Sequence, residues 1–153
     1  MSKKRVIFIC HGNICRSPMA HFIFLDEIKR RGLEDEYEVD SYAVSYEEEG
    51  NDIYPPMKRA LYNKEIPFYQ HKAKRLTPID YEEADYIFYM DSSNKHLLDM
   101  LLDDHSQKLH PIYEFTPSIT TIDDPWYTGQ FDDVVEQLQQ CCDDILYNLK
   151  DLK

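Results

Sequence analysis

A chain of 153 residues with ordinary apolar content can bury one hydrophobic core, and its net charge of −12, with acid concentrated in the second half, would repel a nucleic-acid backbone. The basic start Lys3-Lys4-Arg5 is followed by a short apolar stretch, not a signal-peptide core, and no later run is long enough to cross a bilayer. A single domain spanning 1–153 is therefore expected, monomeric and cytoplasmic, with no membrane or nucleic-acid partner, and a reducing compartment would leave Cys10, Cys15, Cys141 and Cys142 as thiols.

Val6-Ile7-Phe8-Ile9 is an unbroken apolar run, which predicts a strand buried on both faces, as in a parallel sheet. After Ser17-Pro18, the residues Met19, Phe22, Ile23, Leu25 and Ile28 recur at helical spacing, and Lys29-Arg30-Arg31-Gly32 reads as a helix C-terminus. Tyr37 to Val44 alternates as a second strand, and Pro55-Pro56 starts a helix through about Tyr62. Tyr86 to Met90 predicts a third strand, with Asp91-Ser92-Ser93-Asn94 capping a helix that carries Leu97, Leu98, Met100 and Leu101. Leu109 to Tyr113 reads as a fourth strand and Thr116 to Gln130 as a loop. Phe131, Val134, Val135, Leu138, Cys142, Ile145 and Leu149 then mark a closing amphipathic helix. Alternating strands and helices predict an α/β three-layer sandwich, in which ligands sit beyond the C-terminal ends of the strands, where Cys10 lies.

The segment Cys10-His11-Gly12-Asn13-Ile14-Cys15-Arg16-Ser17 joins a buried strand to a helix N-terminus, where free N–H groups and the helix dipole favour an anion. Residues His11, Gly12, Asn13, Ile14 and Cys15 can wrap a tetrahedral oxyanion, and Arg16 can hold two of its oxygens with its planar fork. The same surroundings favour a cysteine thiolate, the nucleophilic form. Ser17 can either cap the helix or donate its hydroxyl to that thiolate. A lone cysteine ending a core strand is ordinarily structural, but cysteine, five residues, arginine and serine in one strand-to-helix turn make a composite pattern. Phosphoryl transfer to sulfur also needs a proton donor for the leaving oxygen. Asp124, in Asp123-Asp124-Pro125-Trp126-Tyr127, has a proline to stiffen it and aromatics, Trp126 and Tyr127, to wall an aryl leaving group; spacing alone leaves Asp123 open as well.

These residues, with Pro18-Met19-Ala20, Asp40 to Ser45, Tyr89 to Asn94 and Asp124 to Tyr127, make the chain resemble the low-molecular-weight protein-tyrosine phosphatase family over nearly its whole length. The resemblance implies a four-stranded parallel sheet with helices on both faces, and hydrolysis of phosphotyrosine in proteins or peptides, and of aryl phosphates, through a phosphocysteine. It implies Cys10 as nucleophile, Arg16 as phosphate clamp and Asp124 as general acid, with inorganic phosphate as product and inhibitor. It further implies that Asn13 holds the loop strained, that Ser17, Ser41 and Ser45 bond to it, and that His71 and Asp91 support it; by their own surroundings His71 reads as an exposed histidine and Asp91 as a helix cap. No metal or other cofactor is expected, since Arg16, the N–H groups and the helix dipole supply the charge stabilisation. Relatives can join the pair matching Cys10 and Cys15 as a redox-sensitive disulfide under peroxide.

Two departures from the family stand out. His21 takes a place that often holds acid. The Tyr46-Glu47-Glu48-Glu49-Gly50 stretch, with Glu47 at the pocket wall, stands where relatives tend to carry an aromatic rim; it reads either as a rim that suits basic peptides or as a solvated acidic loop. Arsenate reduction, arginine dephosphorylation and non-catalytic phosphopeptide binding are the competing functions. The first lacks a cysteine pair between Asp85 and Met100, the second is implied to carry threonine where Ile14 stands, and the third would not need both Cys10 and Asp124.

Overall fold

The computed structural model describes residues 3–151. Its strands are β1 (Lys4–Cys10), β2 (Tyr37–Ala43), β3 (Tyr86–Tyr89) and β4 (Leu109–Pro111), and its helices are α1 (Arg16–Arg30), α2 (Pro55–Asn63), α3 (Pro78–Glu83), α4 (Ser92–Leu101), α5 (Pro125–Thr128) and α6 (Phe131–Asp151). The four strands form one sheet in the order β2-β1-β3-β4. Every pairing is parallel, with Val6 opposite Val39 on one side and Tyr86 on the other, and Ile87 opposite Leu109.

The pleat of β1 explains its apolar run. Val6 and Phe8 face a core layer shared with α1, α2 and α6, where Phe8 meets Phe24 edge-on at 5.5 Å. Ile7 and Ile9 face the opposite layer with Tyr81 of α3 and Leu98 of α4. All four are fully buried, each worth about 1.5–3 kcal/mol by transfer from water. The three-layer sandwich expected from the sequence is thus present.

Three details differ from expectation. The fourth strand ends at Pro111 rather than Tyr113, because residues 112–115 form a turn, although Ile112 N–H still reaches Tyr89 O at 2.8 Å. Two short helices, α3 and α5, occupy stretches without apolar periodicity. Met100, placed with the apolar residues of α4, is 73% exposed; Leu98 is fully buried, with Leu97 and Leu101 packed partly buried beside it.

From β1 the chain passes through α1 to β2 on one side and later returns to β3 on the other. The C-terminal end of β1 is therefore the point where strand order reverses, the place at which open α/β sheets leave a crevice.

Candidate active site

The turn from Cys10 to Arg16 is held from outside by its carbonyls. Val44 N–H donates to both Cys10 O and His11 O at 3.2 Å, and Tyr54 N–H donates to Ile14 O at 2.9 Å. Ser45 Oγ–H reaches His11 O at 3.1 Å and His71 Nε2 reaches Asn13 O at 2.7 Å. None of the backbone N–H groups of residues 11–15 donates to a protein acceptor among the described residues, and Cys15, the N-cap of α1, makes no side-chain cap bond. With its carbonyls turned outward and its N–H groups unspent, the turn is a cradle for a tetrahedral anion.

Asn13 sets the curvature. Its φ is 60°, a left-handed value that asparagine tolerates better than most side chains. Lys74 N–H donates to its Oδ1 at 3.2 Å, and Nδ2 donates to Ser17 Oγ at 2.8 Å and Ser41 Oγ at 3.1 Å. His71, expected to be exposed by its local sequence, is buried instead, because its ring spans the gap between the segment 71–75 and the loop. Burial works against its charge and the Asn13 contact only partly offsets this, leaving its pKa lowered.

Cys10 is buried, with Sγ 3.0 Å from Ser17 Oγ. Of the two uses foreseen for Ser17, the structure takes the contact with the thiol. Once Cys10 is ionised only the hydroxyl can donate there, its other acceptor being Tyr42 O at 3.4 Å. Arg16 is 2% exposed, with Nη1 bonded to Asp91 Oδ2 at 2.6 Å and to Ile122 O at 2.7 Å, and with Nη2 3.7 Å from Asp124 Oδ2. Burial opposes its charge, but Cys10, Asp91 and Asp124 outweigh that and its pKa is raised. Its Nε is buried without a partner among the described residues, a donor with room for an acceptor. Asp91 also caps α4, taking Asn94 N–H on Oδ1 at 2.8 Å, so both readings of it hold.

Asp124 Oδ1 accepts Trp126 N–H at 3.0 Å as the N-cap of α5, which leaves Oδ2 turned to Arg16. Asp123 is exposed and makes no such approach, so geometry separates two aspartates that spacing could not. At the rim, His11 Nε2 pairs with Glu47 Oε2 at 2.9 Å, and the Glu48 side chain lies 3.2 Å from where a Cβ on Gly12 would sit. Trp126 packs on Tyr54 at 4.6 Å, while Tyr127 is 84% exposed. Ile14 is buried at the loop's edge and Cys15 lies beneath it; burial first, then the Cys10 and Asp124 charges, push the Cys15 thiol far up. The sequence reading missed Tyr54, the Ile122 carbonyl and the Lys74 amide, all of which act through backbone atoms that no side-chain pattern signals, Tyr54 adding its ring contact with Trp126.

A family model described as low molecular weight phosphotyrosine protein phosphatase matches residues 5–153. The chain is 30% identical over 149 residues to the low molecular weight protein-tyrosine-phosphatase YfkJ of Bacillus subtilis, covering 95% of each chain. It is 36% identical over 129 residues to a low molecular weight phosphotyrosine protein phosphatase of Schizosaccharomyces pombe, covering 82% of each. The crystal structure of YfkJ superposes with a TM-score of 0.95 at 29% identity, over 100% of this chain and 98% of that one. The structure of the YwlE arginine phosphatase with a phosphorylated active-site serine superposes at 0.85 and 26% identity, over 95% of each chain.

Proposed function

Since the chain belongs to the low molecular weight phosphotyrosine protein phosphatase family, we propose that it hydrolyses phosphotyrosine and aryl phosphate monoesters through a phosphocysteine on Cys10. The observation that carries the reading is the cradle of unpartnered N–H groups over Cys10 Sγ, completed by the buried, unpartnered Arg16 Nε.

In the first step the Cys10 thiolate attacks phosphorus, forming a P–S bond as the P–O bond to the aryl group breaks, and Asp124 gives its proton to the leaving phenolic oxygen. The N–H groups and Arg16 follow the equatorial oxygens through the trigonal transition state. In the second step Asp124 takes a proton from water, the water oxygen bonds to phosphorus, and the P–S bond breaks to return the thiolate. Ser17 Oγ, 3.0 Å from Sγ, stabilises that departing thiolate. Ile14 and the Tyr54–Trp126 pair give the mouth an apolar, aromatic character suited to a phenyl ring.

The test is hydrolysis of an aryl phosphate by the protein and by Cys10→Ser, with chelator and reductant present and with phosphoarginine and arsenate run in parallel. Metal-independent turnover of the aryl ester, lost in the variant, is expected. Turnover of phosphoarginine or arsenate alone by folded protein would overturn the substrate assignment while leaving the loop's chemistry intact.

A further inference from the structure

Beside the side chains that hold Asn13, a cavity of about 340 Å³ is lined by His21, Asp40, Tyr69, Gln70, His71, Lys72 and Lys74. We infer that this cavity is a second oxyanion site, for a small phosphate-type anion, connected to the nucleophile through a chain of directed hydrogen bonds that ends on His21.

The chain's direction follows from counting protons. Asn13 Oδ1 accepts Lys74 N–H, which fixes the amide orientation and sends the two Nδ2 protons to Ser17 Oγ and Ser41 Oγ. Ser41 is fully buried, has one hydroxyl proton, and lies 3.4 Å from His21 Nδ1. Since Asn13 Nδ2 can only donate, His21 Nδ1 is the one acceptor within reach of the Ser41 hydroxyl among the described residues, so that proton goes to Nδ1 and the neutral imidazole carries its own proton on Nε2. His21 is 6% exposed, stacked on Phe22 at 4.9 Å, and Nε2 makes no hydrogen bond to the described residues. The ring is largely buried, but Nε2 itself keeps solvent access, so its N–H is free to serve an accepting ligand in the cavity that His21 lines.

The charges around it fit an anion. Lys72 makes no ion pair among the described residues, and Lys74 lies on the same wall. Asp40 is the one carboxylate in the lining, and it is already held by Lys74 Nζ at 3.2 Å, Arg5 at 3.4 Å, Tyr42 O–H at 3.1 Å and Ser41 N–H at 2.8 Å. Burial holds the His21 pKa down at about 4, with Asp40 pulling the other way and His71 and Lys74 adding to the fall, so at neutral pH His21 offers a neutral donor. With both histidines held toward their neutral form and Lys74 paired to Asp40, Lys72 gives this recess one positive charge unpaired among the described residues, within a protein whose net charge is −12. Its link to Cys10 runs His21, Ser41, Asn13, Ser17, Cys10, with His71 making a second contact to Asn13 O.

Binding here does not depend on the catalytic reading; only its effect on turnover does. Inorganic phosphate is the probe, titrated against matched ionic strength in chloride, while NMR follows the His21 ring and the Gly12 and Asn13 amides separately. Two different dissociation constants are expected, one reported by the loop amides and one by His21. Lys72→Glu, an exposed change, should weaken the His21-reported constant about tenfold while moving the loop-reported one less than about twofold. One shared constant for both reporters, a drift at His21 that does not saturate, or a His21 response indifferent to Lys72→Glu would each overturn the second site.

Discussion

Arg16 Nη1 lies 2.6 Å from Asp91 Oδ2, at the far end of the guanidinium from the unpartnered Nε. The carboxylate, with the Ile122 carbonyl, holds Nη1, while Nη2 stands 3.7 Å from Asp124 Oδ2. Asp91→Asn retains the cap on Asn94 N–H but removes the charge. It should lower kcat/KM for an aryl phosphate about 10- to 100-fold with little change in thermal midpoint. Unchanged steady-state kinetics would show that Asp91 serves only as a helix cap.

Asp124→Ala removes both the proposed proton donor and the cap of α5. Activity on esters with poor leaving groups should fall by about 10²- to 10⁴-fold, and on those with good leaving groups far less. The check is a leaving-group series: equal losses across it would remove the acid role and leave only the structural one. Asp123→Ala should be nearly silent, since its side chain is exposed.

Three of the four cysteines resist ionisation. Burial pushes Cys141 up to about 11, Cys15 further still, and Cys142 well above the usual thiol range. Iodoacetamide at neutral pH should therefore alkylate Cys10 alone, and inorganic phosphate should protect it, as read by peptide mass spectrometry. Under peroxide the same method should find a Cys10–Cys15 disulfide; an over-oxidised Cys10 with Cys15 still free would rule out a protective pairing.

His21 makes stability depend on pH. In the unfolded chain it takes up a proton near pH 6.5, and in the folded protein only near about 4. Between those values acid favours unfolding: the His21 contribution is fully present above about 6.5 and falls by up to roughly 3 kcal/mol as pH drops toward 4. His71, also lowered, adds a loss of the same sign. Urea unfolding at a series of pH values should show this slope, and His21→Gln should flatten it. An equally steep slope in that variant would place the titration elsewhere.

Much of the architecture was legible because β1 and β3 are buried on both faces, so their apolar runs have no competing explanation, and because α1 and α6 keep helical periodicity over several turns. Helix α3 was not legible: its six residues bury only Tyr81 and rest on a capping box between Thr77 and Asp80. Helix α5 is a single turn between the Asp124 cap and Gly129, whose φ is 72°. At the site, Cys10, Arg16 and Ser17 were readable because they sit in one short turn. His71 was not readable from its neighbours, because what buries it is an Asn13 carbonyl 58 residues away in sequence.

Cys10 ends β1, one of the two strands paired on both sides, and Val6 to Ile9 are wholly inaccessible to solvent. Amides in such a strand exchange with deuterium only through global opening, whereas edge segments fray at lower free energy. Cys10 therefore rides on the last part of the molecule to come apart. Loss of activity on heating should coincide with loss of the whole fold, with no inactive but folded species preceding it.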